Sequence, residues 1–267
     1  MNKIDFTKGV GYKITRFPDG EVHLQLSELD RKEPIKVVMR IRNAEDLFLF
    51  MQLSDILHRQ EITVEELHIP YLMSMRCDRV FSFDRPFSLK IVSEIIKGMG
   101  AMQVYLYEPH SIKSCRMIHA NAKEISRELA FQFANTSTIC YPDKGAQERY
   151  DLFKNDGLLL CEKVRDVATG QLMSFRVTNP ESFIGGEITV IDDLCDGGGT
   201  FVGLAPKLRE LNPTKLRLVV THAVQLNGIG RVAEVYDEVV ITNTYEDWDS
   251  IYFILPDNIT VVDALKE

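Results

Sequence analysis

The stretch EITVIDDLCDGGGTF, residues 187–201, ends an apolar run in two adjacent aspartates, then a third aspartate, three glycines and a threonine. In open parallel sheets, ligands sit beyond the carboxyl ends of the strands, and Asp192 and Asp193 stand at such an end. Glycines let several backbone N–H groups converge on one point, and the N-terminus of a following helix adds partial positive charge. That combination suits a phosphate. The aspartates serve the other end of the ligand, because carboxylates accept hydrogen bonds from vicinal sugar hydroxyls. The chemistry implied is the binding of a phosphorylated sugar, with its hydroxyls on Asp192 and Asp193. Its phosphate would lie on Cys195, Asp196, Gly197, Gly198, Gly199 and Thr200. No Lys-Ser or Lys-Thr follows the glycines, so this is not a Walker-type loop.

Other stretches carry charge in patterns that suit phosphates. Arg76, Arg79 and Arg85 crowd one segment of an otherwise acidic chain, as a polyphosphate requires. Lys163 and Arg165 are two apart in a segment that reads as a strand, so both face one side. In RFPDGEVHLQL (16–26), Asp19-Gly20 suits a hairpin turn.

These residues need a scaffold, and the composition bounds it. The chain has 267 residues, enough for two domains, with 45% apolar and 26% charged residues, as in globular proteins. Its net charge of −8 argues against a general nucleic-acid surface, so any anion site is built locally. No apolar run reaches the roughly 20 residues of a membrane span, and MNKIDFTKGV lacks the apolar core of a signal peptide. Cys77, Cys115, Cys140, Cys161 and Cys195 show no CxxC spacing and are odd in number. Reduced, mostly buried thiols in a cytoplasmic protein are expected.

Strand and helix patterns alternate. Strands are expected at 35–41, 65–72 and 102–110, and helices at 43–60 (capped by Asn43 or Asp46), 86–100 and 120–133. Next come a short strand ending at TICYPD, a helix over 147–155, and strands LLLCE and MSFRV flanking a polar loop. Strand EITVIDD, helix FVGLAPKLREL, strand KLRLVVTHA, helix GIGRVAEVY and strand EVVITNT complete the pattern. This is βαβ grammar with mostly parallel sheet. DRPFSLKIVSEIIKGMGAMQVYLYEPH and DGGGTFVGLAPKLRELNPTKLRLVVTH echo each other, each running Asp, helix, strand, His. The expected fold is two tandem α/β domains, 1–132 and 133–267, with mostly parallel central sheets flanked by helices. The hinge falls within 127–137, and the C-terminal SIYFILPDNITVVDALKE packs back across the first domain.

VIDDLCDGGGTF resembles the ribose-phosphate loop shared by type I phosphoribosyltransferases and the ribose-phosphate diphosphokinases, although Gly197 stands where the usual pattern has Thr. Three further stretches, spread with this one over residues 14–244, are similar to the diphosphokinase family specifically. The family's Phe-x-Asp-Gly-Glu segment matches Phe17, Asp19 and Glu21, and implies adenine stacking and base contacts to a neighbouring subunit's nucleotide. Its Arg-Gln-Asp-Arg segment matches Arg76 and Asp78, with Cys77 replacing glutamine. Its catalytic flexible loop matches Lys163 and Arg165. The resemblance also implies metal-binding roles for His110 and for Asp143 of the diphosphate loop, where Ala146 replaces a glycine.

The family implies two phosphoribosyltransferase-like domains with the active site at their junction. It implies Mg2+ and the substrates ATP and ribose 5-phosphate, with 5-phosphoribosyl diphosphate and AMP as products. It also implies a homodimer or higher homo-oligomer with shared sites, without nucleic-acid or membrane partners. Family members carry an extra βα unit before the Phe-x-Asp-Gly-Glu segment, so this N-terminal domain reads as trimmed. A phosphoribosyltransferase acting on a nucleobase and a non-catalytic synthetase-associated subunit are the alternatives.

Overall fold

Apolar residues at three- and four-residue spacing in NAEDLFLFMQLSDILHRQ fold as α1 (Ala44–Arg59), which buries Leu49, Phe50, Leu53 and Leu57. Each such leucine, once buried, contributes about 1.5–3 kcal/mol. Asn43 caps the helix by accepting from Asp46 N–H at 3.0 Å. Glu45 and Asp46 in the first turn, and His58 and Arg59 in the last, complement the helix dipole. The structure, a computed structural model, describes residues 2–30, 33–134, 137–150, 158–165, 172–248, 250 and 255–266. Two units, Met1–Lys123 and Glu124–Glu267, divide the chain.

The first unit is built on a parallel sheet. It comprises β1 (Asn2–Asp5), β4 (Ile35–Val38), β5 (Val64–Ile69), β6 (Gln103–Tyr107) and β7 (Asn121–Lys123), in that spatial order. Val37, Leu67, Ile69, Val104 and Leu106 form one core with α1, α2 (Ser88–Gly98) and α3 (Ile112–Ile118). Alternate residues point away from that core. Among them, His68 bonds Tyr107 OH through Nδ1 at 3.1 Å and Glu66 through Nε2 at 2.8 Å.

Between β1 and β4 the chain forms a hairpin of β2 (Tyr12–Arg16) and β3 (Val22–Leu26). Its outer edge meets α1 through one side chain. Gln52 Oε1 accepts from Leu24 N–H and Gln52 Nε2 donates to Val22 O, both at 2.8 Å. β1 stands in the sheet ahead of the hairpin, and no helix separates it from β2 among the described residues.

In the second unit the sheet order is β10 (Leu172–Val177), β9 (Leu159–Arg165), β8 (Thr138–Tyr141), β11 (Glu187–Cys195), β12 (Lys215–Ala223), β13 (Glu238–Thr242) and β14 (Ile259–Val262). All neighbours are parallel except the antiparallel β9–β10 pair. β11 and β12 are buried along nearly their whole length, as strands covered on both faces are. Helices α4 (Ile125–Phe133), α5 (Lys144–Arg149), α6 (Gly199–Arg209) and α7 (Leu226–Ala233) accompany this sheet.

Several expectations shift. The helix expected from 120 resolves into β7 and α4, and α3 precedes them. Seven residues are too few for α3's period to register, and His119, at φ 61°, ends it. The helix expected over 147–155 begins earlier, at Lys144, and residues 151–157 lie outside those described. α4 goes with the second unit, so the units divide ahead of 132. In the C-terminal segment, β14 pairs with β13 and extends the second sheet; residues 251–254 are outside those described. The paired histidines also differ: His110 follows β6 in a loop, whereas His222 lies inside β12, fully buried and bonded to Thr244 Oγ1 at 2.9 Å.

Candidate active site

β11 delivers Asp192 and Asp193 to the carboxyl end of the second sheet, between β8 and β12. Both meet a single cation. Arg149, the last residue of α5, donates from Nη1 to Asp192 Oδ1 at 3.1 Å and to Asp193 Oδ1 at 2.6 Å. Asp193 N–H also donates to Asp192 Oδ1 at 2.9 Å. The side chains are unequally covered: Asp193 is 4% exposed, Asp192 15% and Arg149 14%. Burial, with the adjacent Asp193 charge, raises the Asp192 carboxyl well above its ordinary range. Burial works against the Arg149 charge, yet Asp193, Tyr150 and Asp192 more than offset it and leave the guanidinium firmly protonated.

Below the strand end, Ser126 Oγ of α4 donates to Asp192 O at 3.3 Å and pairs with Thr221 Oγ1 at 2.7 Å. The loop that follows is clasped by α7. Gly198 sits at φ 73° as the N-cap of α6, and no side chain caps it, so the first-turn N–H groups lack a side-chain acceptor. A β-carbon at Gly198 would lie 2.6 Å from Gly228 O and 2.9 Å from Val232 Cγ2. One at Gly228 would lie 2.0 Å from Asp196 O. Two glycines therefore permit a backbone approach that no other residue allows. Gln225 Nε2 donates to Asp196 Oδ1 at 2.7 Å, and Arg231 Nη1 to Gly197 O at 3.1 Å. Around Gly197 and Gly199 nothing lies within 4 Å of where a β-carbon would stand, so the Thr of the family pattern would fit at Gly197. Thr200 lies in the first turn of α6. Cys195 differs from its neighbours: its side chain is in the core, and burial pushes the thiol up to about 12. Only its backbone is available to a ligand.

α5 ties this loop to two more candidates. Asp143 caps the helix, accepting from Ala146 N–H at 3.1 Å, and Lys163 Nζ of β9 donates to Asp143 Oδ2 at 2.8 Å. Burial works to raise the Asp143 carboxyl, and Lys163, the Ala146 N–H and Arg149 together more than offset it, leaving the net shift downward. One short helix thus presents Asp143 at one end and Arg149 at the other. Arg165 also lies in β9, but its side chain and the loop 166–171 are outside those described.

The remaining candidates belong to the first unit. Phe17 and Asp19 occupy the hairpin turn and Glu21 follows it. Gly20 N–H donates to Phe17 O at 2.9 Å, Asp19 Oδ1 accepts from Glu21 N–H at 3.1 Å, and the Phe17 ring is half exposed. Arg16 and Glu45 brace the hairpin with a two-point ion pair at 2.7 and 3.0 Å. Arg76, Cys77 and Asp78 form a separate turn before α2, where Lys113 of α3 stands 3.5 Å from Asp78 and Arg79 3.7 Å. His110, in a loop of this unit, and Asp143 of the other were the expected metal residues. Among the described residues no group of three or more His, Cys, Asp or Glu side chains is gathered to hold a metal.

Sequence reasoning did not include Arg149, Gln225, Gly228 or Arg231. A clue to Arg149 existed: two adjacent buried carboxylates require a cation. Its location, 43 residues before Asp192 along the chain, left no trace in local pattern.

Two α/β units in tandem, with a carboxylate pair and a glycine turn at the end of a central strand, give the chain a phosphoribosyltransferase-like fold. No family model matches the chain. Curated relatives do. It is 29% identical over 256 residues to the ribose-phosphate pyrophosphokinase of Pyrococcus furiosus, covering 92% of this chain and 90% of that one. It is 29% identical over 264 residues to that of Sulfolobus acidocaldarius (91% and 88%), and 25% identical over 245 residues to that of Helicobacter pylori (86% and 76%). The fold matches the crystal structure of phosphoribosylpyrophosphate synthetase from Mycobacterium smegmatis, with a TM-score of 0.77, 20% identity and coverage of 94% and 85%. Over nearly its whole length the chain is therefore similar to ribose-phosphate pyrophosphokinases.

Proposed function

We propose that the protein converts ATP and ribose 5-phosphate into AMP and 5-phosphoribosyl diphosphate. The observation that carries this reading is the Asp192–Asp193 pair beside the Gly198 turn, in a chain that aligns with ribose-phosphate pyrophosphokinases over nearly its full length. The carboxylates take the ribose hydroxyls, and the first-turn N–H groups of α6 take the 5-phosphate. Phe17, Asp19, Glu21, Arg76, Cys77 and Asp78 hold the nucleotide. The sugar's 1-oxygen attacks the β-phosphorus in line, the bond from Pβ to the bridging oxygen of the AMP portion breaks, and the hydroxyl proton passes to solvent. Lys163 leaves Asp143 and, with Arg165, serves the transferring diphosphoryl group, where a preorganised cation stabilises developing charge.

Asp143 offers magnesium a carboxylate oxygen, and the ion retains waters and takes substrate phosphate oxygens for the rest of its shell. When bound, it screens the phosphate charge. A homo-oligomer accords with the exposed Phe17 tip serving a neighbouring subunit's nucleotide, and a cytoplasmic setting accords with five free cysteines. No helix among the described residues is long and apolar enough to cross a membrane. The test is AMP formation followed by chromatography, with ATP, magnesium and ribose 5-phosphate alone. AMP that appears only after a nucleobase is added would defeat the proposal, and so would stable association with an active synthetase without turnover.

A further inference from the structure

We infer that Arg149 is a positioning residue for sugar recognition, which with Asp193 forms a buried anchor that fixes Asp192 as the carboxylate reading the ribose hydroxyls. The inference rests on the reaction proposed above and divides the labour within its acidic pair. Three observations support it. Asp193 is nearly sealed from solvent, whereas Asp192, one residue away, is several times more exposed. The Arg149 contact to Asp193 is the shorter of its two, 2.6 against 3.1 Å. Both Arg149 Nη1 and Asp193 N–H converge on Asp192 Oδ1, so Oδ2 is the oxygen to which a hydroxyl donates.

A carboxylate that recognises a diol must hold one rotamer, and misplacement by about 1 Å costs a reaction as much as 10²-fold. Two donors on one oxygen supply that restraint. They also keep two adjacent carboxylates from repelling each other out of place, since the two N–H groups of Arg149 Nη1 are fixed in the guanidinium plane. Because Arg149 and Asp143 terminate the same six-residue helix, the sugar-reading carboxylate and the Lys163 partner share one rigid support.

The test compares Arg149→Lys and Arg149→Ala with the native protein. Arg149→Lys retains the charge but not the planar guanidinium. Its KM for ribose 5-phosphate should rise about 10- to 100-fold, the usual loss when a group orienting a ligand-binding side chain is changed. Its KM for ATP should stay within about twofold, and kcat should fall less than that KM rises. In Arg149→Ala, added guanidinium should restore ribose 5-phosphate affinity, while sodium chloride at equal ionic strength should not. Should Arg149→Ala fail to fold, Arg149→Lys decides alone. An unchanged KM for the sugar phosphate, or parallel rises for both substrates, would overturn the assignment. A native protein that forms no AMP would instead defeat the reaction; calorimetric binding of ribose 5-phosphate by the same variants still decides the role of Arg149.

Discussion

Gly198→Ala tests the clasp between the phosphate loop and α7. The native residue sits at φ 73°, where an L side chain costs about 1–2 kcal/mol. Its new methyl would lie 2.6 Å from Gly228 O and 2.9 Å from Val232 Cγ2, distances that force a backbone shift. Overpacking of this kind costs about 1–3 kcal/mol. The total, about 2–5 kcal/mol, corresponds to a drop in Tm on the order of 10 °C. Gly197→Ala is the matched control. Its φ is not left-handed and its methyl meets nothing within 4 Å, so it should change stability by under about 1 kcal/mol in either direction. Thermal unfolding followed by circular dichroism measures both, and calorimetry measures ribose 5-phosphate affinity, which should weaken markedly in Gly198→Ala alone. If Gly198→Ala melts with the native protein, or both variants fall equally, the close approach does not constrain the loop and the reasoning fails.

Lys163→Ala should reduce turnover about 10²-fold or more while leaving ribose 5-phosphate affinity nearly intact, because its charge acts on the transition state; weaker sugar binding at full turnover would remove Lys163 from that role. Of the five cysteines, Cys77 alone is not buried, so a thiol reagent should modify one site in the native protein, and ATP should slow that reaction; rapid labelling indifferent to ATP would displace the nucleotide from the 76–78 turn. Burial lowers the His68 pKa, and although Glu66 pulls the other way the net shift is downward. Its stabilising effect is therefore complete above the unfolded value of about 6.5 and is lost as pH falls through the lower folded value. Between about pH 7.5 and 5.5, Tm should fall more in the native protein than in His68→Asn; equal slopes in the two proteins would contradict this assignment.

The alternation of strands and helices was legible because long amphipathic and apolar runs dominate their local conformation. α1, capped at Asn43, and β11, ending at its aspartates, are the clearest cases. Short elements were not, since three residues of β7 and seven of α3 carry too little periodicity. At the site, sequence exposed the groups adjacent along the chain: the Asp192–Asp193 pair and the glycines. It did not expose the groups that hold them. Arg149 and Gly228 reach the loop through topology, one from the helix after β8 and the other from the helix after β12. Resemblance identified Lys163 and Asp143 separately, while their 2.8 Å ion pair is a product of the fold.

Gln52 has a wider consequence for the hairpin. Its carboxamide imitates the peptide group of an adjacent strand, occupying the N–H of Leu24 and the carbonyl of Val22. An exposed strand edge invites stray chains to add on, and here a single residue of α1 occupies one N–H and one carbonyl of the β3 edge. On that side the hairpin is held to the helix, and the turn bearing Phe17 is its braced tip.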